Sequence, residues 1–132
     1  MMDIPKPYQE LFSDNTKAYA YLATIMEDGT PQITTVWFNT DDEHILINSQ
    51  KGRVKDRNMR KRPNVALLIE DPDDPYRYVM VRGPVVEITE TGAREHINQL
   101  AYKYTGSSEY KVSPPDAVRV IYKIAPVDIY AH

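Results

Sequence analysis

Alternation of apolar and polar positions divides this chain into many short strands, interrupted twice by helical spacing. Residues 18–26 (AYAYLATIM) read as a strand, and Glu27-Asp28-Gly29-Thr30 follows as a hairpin signal. Pro31 opens QITTVWF, a second strand. On it Gln32, Thr34, Val36 and Phe38 share one face, and Ile33, Thr35 and Trp37 the other. Polar Gln and Thr beside Trp and Phe, on both faces, is not the pattern of a plain core strand. A polar turn over 39–43 leads to a third strand at 44–49 (HILINS), and the three are expected to form an antiparallel meander. Residues 65–70 read as a buried strand and 71–75 (DPDDP) as a loop of turn formers. A long strand over 76–88 should bulge or turn a corner at Gly83-Pro84. Residues 118–125 and 127–130 are closing strands separated by Pro126.

Helical spacing is clearest over 90–104, where Ala93, Ile97, Leu100, Ala101 and Tyr104 form one apolar stripe. Thr89 or Thr91 is placed to cap its start, and Gly106 to end it. That stripe is expected to pack rather than to bind a ligand. A loop over 106–115 could bring Tyr110 and Lys111 toward a site. A short helix over 7–14 is predicted from Pro7 at a first helical position, with Tyr8, Leu11 and Phe12 on one side. A third helix should begin near Arg53 and stop at Arg62-Pro63, because a residue before proline is pushed out of the α region. The sum is a mainly β (α+β) fold: an antiparallel barrel of six to seven strands with flanking helices, in a single domain over 1–132.

Composition narrows the chemistry. With no Cys, disulfides, thiolate metal ligands and Cys nucleophiles are excluded. No apolar run approaches the ~20 residues of a membrane helix, and MMDIPKPYQE lacks the features of a signal peptide, so a cytoplasmic location is expected. His44, His96 and His132 stand in no metal-ligand spacing. No G-x-S-x-G, GxGxxG or Walker motif is present, and Asp71, Asp73 and Asp74 read as a solvated loop.

Charge changes the picture most. The net charge is −3, yet seven of the sixteen basic residues lie within SQKGRVKDRNMRKR, residues 49–62, opposed only by Asp56. A nucleic-acid binder would be basic over a broader face, so a compact anion suits the patch better. Gly52 allows a tight turn before a helix start, where free N–H groups and cations favour phosphate. Arg53 offers a planar cation and Lys55 a point charge, and helical spacing puts Arg53, Arg57 and Lys61 on one side. Val54 and Met59 are too far apart in angle to anchor this helix, so a bound anion is one reason for it to dock.

The run YLATIMEDGTPQITTVWF, followed by ILINSQKGRVKDRNMRKRPNVALLIEDPDDPYRYVMVRG, resembles the pyridoxamine 5′-phosphate oxidase-like superfamily with its FMN-binding split barrel. More narrowly it is similar to flavin/deazaflavin oxidoreductases that use coenzyme F420. The match is strong over 18–88 and includes the closing VRVIYKIAPVDIY. The resemblance implies a homodimer with the cofactor between subunits, a small-molecule substrate, and no nucleic-acid or membrane partner. Arg53 and Lys55 would hold the cofactor phosphate, supported by Asn48, Ser49 and Asn58. Gln32, Thr34, Thr35, Val36 and Trp37 would run along the ring, and Tyr76, Arg77 and Tyr78 would approach it across the interface. The cofactor would be F420, with FMN as the alternative. The surplus of cations, Arg60 to Arg62 included, favours F420 because they could meet an anionic oligoglutamate tail. No side chain stands out as a proton donor. The chain is shorter than pyridoxamine 5′-phosphate oxidases, so that reaction itself is not expected. A non-catalytic flavin-binding, storage or sensing protein of the same fold is the rival reading.

Overall fold

A computed structural model describes residues 2–132. A 3-10 helix, Lys6–Phe12, leads into eight strand segments and two α-helices. The strands are β1 (Ala20–Ile25), β2 (Pro31–Val36), β3 (Phe38–Thr40), β4 (Ile45–Gln50), β5 (Asn64–Asp71), β6 (Asp74–Thr89), β7 (Arg119–Ile124) and β8 (Asp128–Ala131). The helices are α1 (Val54–Lys61) and α2 (Ala93–Thr105). Every strand pairing is antiparallel, in the order β2-β1-β5-β6-β7-β4-β3, with β8 on β6.

The two ends of that order, β2 and β3, are halves of one extended stretch broken only at Trp37. β2 pairs with β1 and β3 with β4, so the sheet curls back on itself into a split barrel. The expected meander is thereby corrected. The strand changes partner at Trp37, and β4 meets only Phe38–Thr40. Alternation explains the interior: Ala20, Leu22, Phe38, Ile45, Ile47, Leu67, Ile69, Val79, Val81, Val120, Tyr122 and Ile124 are buried. The opposite faces of β1, β5 and β6 leave Tyr21, Leu68 and Met80 partly exposed, in one row with Thr35 on β2 and with Tyr130 on β8.

β6 joins the two halves of the barrel, pairing with β5 as far as Pro84 and with β7 from Val85 onward. The bulge lies between Val85 and Glu87, just past Gly83-Pro84. Gly83 is there for closeness: a Cβ on it would stand 1.8 Å from the Ala125 carbonyl oxygen. Gly83→Ala should therefore force the 125–127 crossing apart and cost about 3 kcal/mol, lowering the thermal midpoint by roughly 10 °C. A midpoint within about 2 °C of the parent, read by circular dichroism, would contradict that close approach.

The N-terminal helix is 3-10 rather than α, and Arg77 ties it down by donating to the Pro7 carbonyl and to Glu10 at 2.5 Å. The stripe on α2 packs as expected, with Ala93, Ile97, Leu100, Ala101 and Tyr104 all buried. No threonine side chain caps α2; Gly92 precedes it at φ 77° and Gly106 ends it at φ 78°. No helix among the described residues is long and apolar enough to cross a membrane.

Candidate functional site

The turn between β4 and α1 is fixed by a buried carboxylate. Asp56 accepts from the Gly52 N–H at 2.9 Å, from Arg60 Nε at 2.9 Å and from the Tyr122 hydroxyl at 2.5 Å. Burial alone would raise the Asp56 pKa, but these donors outweigh it and hold it below the ordinary carboxylate value. Asn58 donates to Thr24 Oγ1 at 3.0 Å, and Met59 is wholly buried. Polar and apolar anchors thus dock α1 without any ligand, correcting the idea that an anion supplies its reason to dock.

Those anchors also sort the cations. Lys51 pairs with Glu90, Arg60 with Asp56, and Arg62 donates to the Ile25 carbonyl at 2.7 Å and to Asn58. Arg60 and Arg62 are therefore fastenings, which removes them from the surplus invoked for an anionic tail. Arg57 donates to the Gly52 carbonyl, and Arg53 has no carboxylate partner among the described residues. No side chain caps the first turn of α1, which leaves its N–H groups open.

Two clefts meet at this helix start. The inner one, about 240 Å³, is lined by Thr35, Val36, Trp37, Asn48, Ser49, Arg53, Lys55, Ile97, Leu100, Tyr110 and Arg119. The outer one, about 400 Å³, is lined by Gln32, Thr34, Arg53, Val54, Lys55 and Arg57. Arg53 and Lys55 belong to both. Burial, then Arg53 and Arg119, lower the Lys55 pKa, and Thr34 is its hydrogen-bond partner at 3.4 Å. Cations lining clefts that hold no carboxylate, beside an uncapped helix start, are chemically suited to an anion. A larger groove of about 1030 Å³ lies elsewhere, along α2 and the 14–17 segment, and holds none of these cations.

Most of the sequence-predicted residues line these two clefts: Gln32, Thr34, Thr35, Val36, Trp37, Asn48, Ser49, Arg53 and Lys55. Asn58 does not, since Thr24, Met26 and Arg62 occupy its amide. Tyr76, Arg77 and Tyr78 line neither cleft. Tyr76 is exposed, Arg77 is bound to Asp71 and Glu10, and Tyr78 stacks on His132. Of the loop candidates, Tyr110 is in the inner cleft, edge-on to Trp37 at 6.2 Å, and Lys111 is not.

Sequence reading missed Arg119 and His96. Asn48 connects them. It donates to the Ala93 carbonyl at 2.9 Å and to His96 Nδ1 at 3.1 Å, and accepts from Arg119 Nε at 2.8 Å. His96 Nε2 then donates to Asn39 Oδ1 at 2.8 Å, which fixes one neutral tautomer. Burial, followed by Arg119, pushes the His96 pKa down to about 4, so it stays neutral at physiological pH. The only signal for Arg119 was a cation at the start of a mostly apolar strand, VRVIYKIA, which carries Lys123 as well.

The pyridoxamine 5′-phosphate oxidase family model matches residues 7–132. The chain belongs to this family. Among solved structures, one named F420 Reductase superposes on this family member with a TM-score of 0.82 at 34% identity, covering 96% of this chain and 98% of that one. A conserved hypothetical protein from Mycobacterium tuberculosis superposes with a TM-score of 0.71 at 24% identity, covering 97% and 84% of the two chains. General Stress Protein 26 from Bacillus anthracis does so with a TM-score of 0.66 at 20% identity, covering 93% and 92%. The last two share the fold alone. As a pyridoxamine 5′-phosphate oxidase family chain with such a neighbour, the protein falls in a flavin-binding, oxidoreductase-like class.

Proposed function

We propose that this protein is an oxidoreductase that binds coenzyme F420, with FMN as the alternative, and transfers hydride to or from a small organic substrate. One observation carries the reading: Arg53 and Lys55 stand where two clefts meet, not at a dead end. A phosphate held there can extend both ways, inward to Trp37 and Tyr110 and outward past Arg57. A phosphodiester such as that of F420 needs both limbs, whereas the terminal phosphate of FMN needs one. The F420 Reductase neighbour agrees with this choice.

The bound cofactor would supply the hydride chemistry, and the chain's part is to place and shield it. Arg53, Lys55, the Ser49 hydroxyl and the open N–H groups of α1 would hold the phosphate. Trp37 is braced for stacking, because Tyr104 lies parallel behind it at 5.3 Å and 7°. The half-exposed row of Thr35, Tyr21, Leu68, Met80 and Tyr130 offers a sheet face for a second copy. Under this reading Tyr76, Arg77 and Tyr78 reach the cofactor, if at all, from that second copy.

Stopped-flow absorbance with reduced F420 and a panel of small acceptors tests the activity. Oxidation of F420 faster than in buffer is expected for at least one acceptor class. A protein that binds cofactor tightly yet gives no turnover with any acceptor would instead be a storage or sensing member of the family.

A further inference from the structure

Arg119 is an unusual cation for its position. The residue is only 9% exposed, no carboxylate among the described residues pairs with it, and its side chain makes one hydrogen bond to them, from Nε to Asn48. The two terminal guanidinium nitrogens make no bond to the described residues, and they are not sealed in, because no buried side-chain nitrogen or oxygen lacks a partner. Arg119 is one of the residues that line the inner cleft. The Tyr110 ring lies under the guanidinium at 5.3 Å, a cation–π contact. Arg53 and Lys55 stand close enough across the cleft to repel it. Burial, Arg53 and Lys55 work against a cation here and outweigh what Tyr110 and Tyr122 contribute in its favour, and Arg119 cannot escape by losing its proton. A buried guanidinium fork with no carboxylate among its partners is suited to one kind of ligand, an oxyanion.

We propose that Arg119 is a third anion-binding residue of this site, taking an oxyanion through its free terminal nitrogens while Asn48 and Tyr110 hold the fork in place. The inference rests on the reading of the cleft as an anion site but not on the identity of the cofactor. Two sources share the required chemistry: an oxygen of the phosphate that Arg53 and Lys55 hold, or the carboxylate of a substrate lying against Trp37, Ile97 and Leu100.

Inorganic phosphate and benzoate are the probes, titrated by calorimetry against the parent, Arg119→Gln, Arg119→Lys and the Arg53→Ala/Lys55→Ala protein. Losing one charged hydrogen-bonding partner should weaken the relevant probe about tenfold to a hundredfold in Arg119→Gln, with Arg119→Lys between it and the parent. Weaker phosphate binding assigns Arg119 to the cofactor phosphate. Weaker benzoate binding with phosphate unchanged assigns it to a substrate carboxylate. The inference is overturned if Arg119→Gln keeps parental affinity for both probes, or if the parent binds neither. Phosphate binding lost in Arg53→Ala/Lys55→Ala, with both phosphate and benzoate binding kept in Arg119→Gln, would remove Arg119 alone and leave the phosphate cradle standing. Thermal midpoints of the ligand-free variants show that each is folded, so a change in probe affinity is read separately from stability.

Discussion

Replacing Arg53 and Lys55 together by alanine is expected to weaken cofactor binding by at least ~100-fold, since two charged hydrogen-bonding partners of a phosphate would be lost. The empty protein should lose almost nothing. Arg53 has no carboxylate partner among the described residues, and Lys55 makes one long contact to Thr34 at 3.4 Å. Removing them relieves repulsion among Arg53, Lys55 and Arg119, so the thermal midpoint without ligand should stay level or rise slightly. That combination, binding lost and stability kept, separates a ligand site from a structural one. A double variant that binds F420 and FMN as the parent does would remove the phosphate cradle from this account.

The second large effect concerns Asp56. Asp56→Ala strips a buried acceptor from the Tyr122 hydroxyl, the Gly52 N–H and Arg60, and is expected to cost about 3–5 kcal/mol. The turn that carries Arg53 loses its fastening at the same time, so cofactor affinity should fall along with stability. The ionised form also sets a pH limb. Because the folded pKa of Asp56 lies below its ordinary value of 3.8, the unfolded chain takes up the proton first as pH drops. Its contribution is therefore complete above that ordinary value and drains away as pH falls through the lower folded one. Asp56→Asn should flatten that part of the stability curve in urea unfolding between neutral and acid pH. A loss under about 1 kcal/mol at pH 7 for Asp56→Ala would mean that the turn is held by something else.

Much of the barrel was legible because its strands alternate and its turns carry Gly, Pro and Asp at the right places. Residues 18–26 and 31–38 read as a hairpin, and the structure pairs Ala20 with Val36 through Ile25 with Pro31. The break at Trp37 was not legible, because neither Gly nor Pro marks it. It arises from a tertiary choice of partners, β1 before it and β4 after it. Helix α1 was misjudged for a related reason. Asp56 and Asn58 look like surface residues in a basic run, yet they meet Tyr122 and Thr24, 66 and 34 residues away. The same distance hid which cations were free. Lys51 finds Glu90, 39 residues on, and Arg62 finds the Ile25 carbonyl, 37 residues back. Arg119 joins the cleft through Asn48, 71 residues away, a contact that no local pattern announces. Local motifs pointed to Ser49, Arg53 and Lys55, which line the clefts at the start of α1. Long-range contacts then decided which of the surrounding charges are already paired.

The measurement that bears most directly on the central claim is a fluorescence titration of the parent protein with F420 and with FMN under one buffer condition. Saturable binding of F420, tighter than that of FMN and weakened by added phosphate, is the predicted result. Tighter binding of FMN would move the assignment to the alternative cofactor. Absence of saturable binding by either would contradict the account.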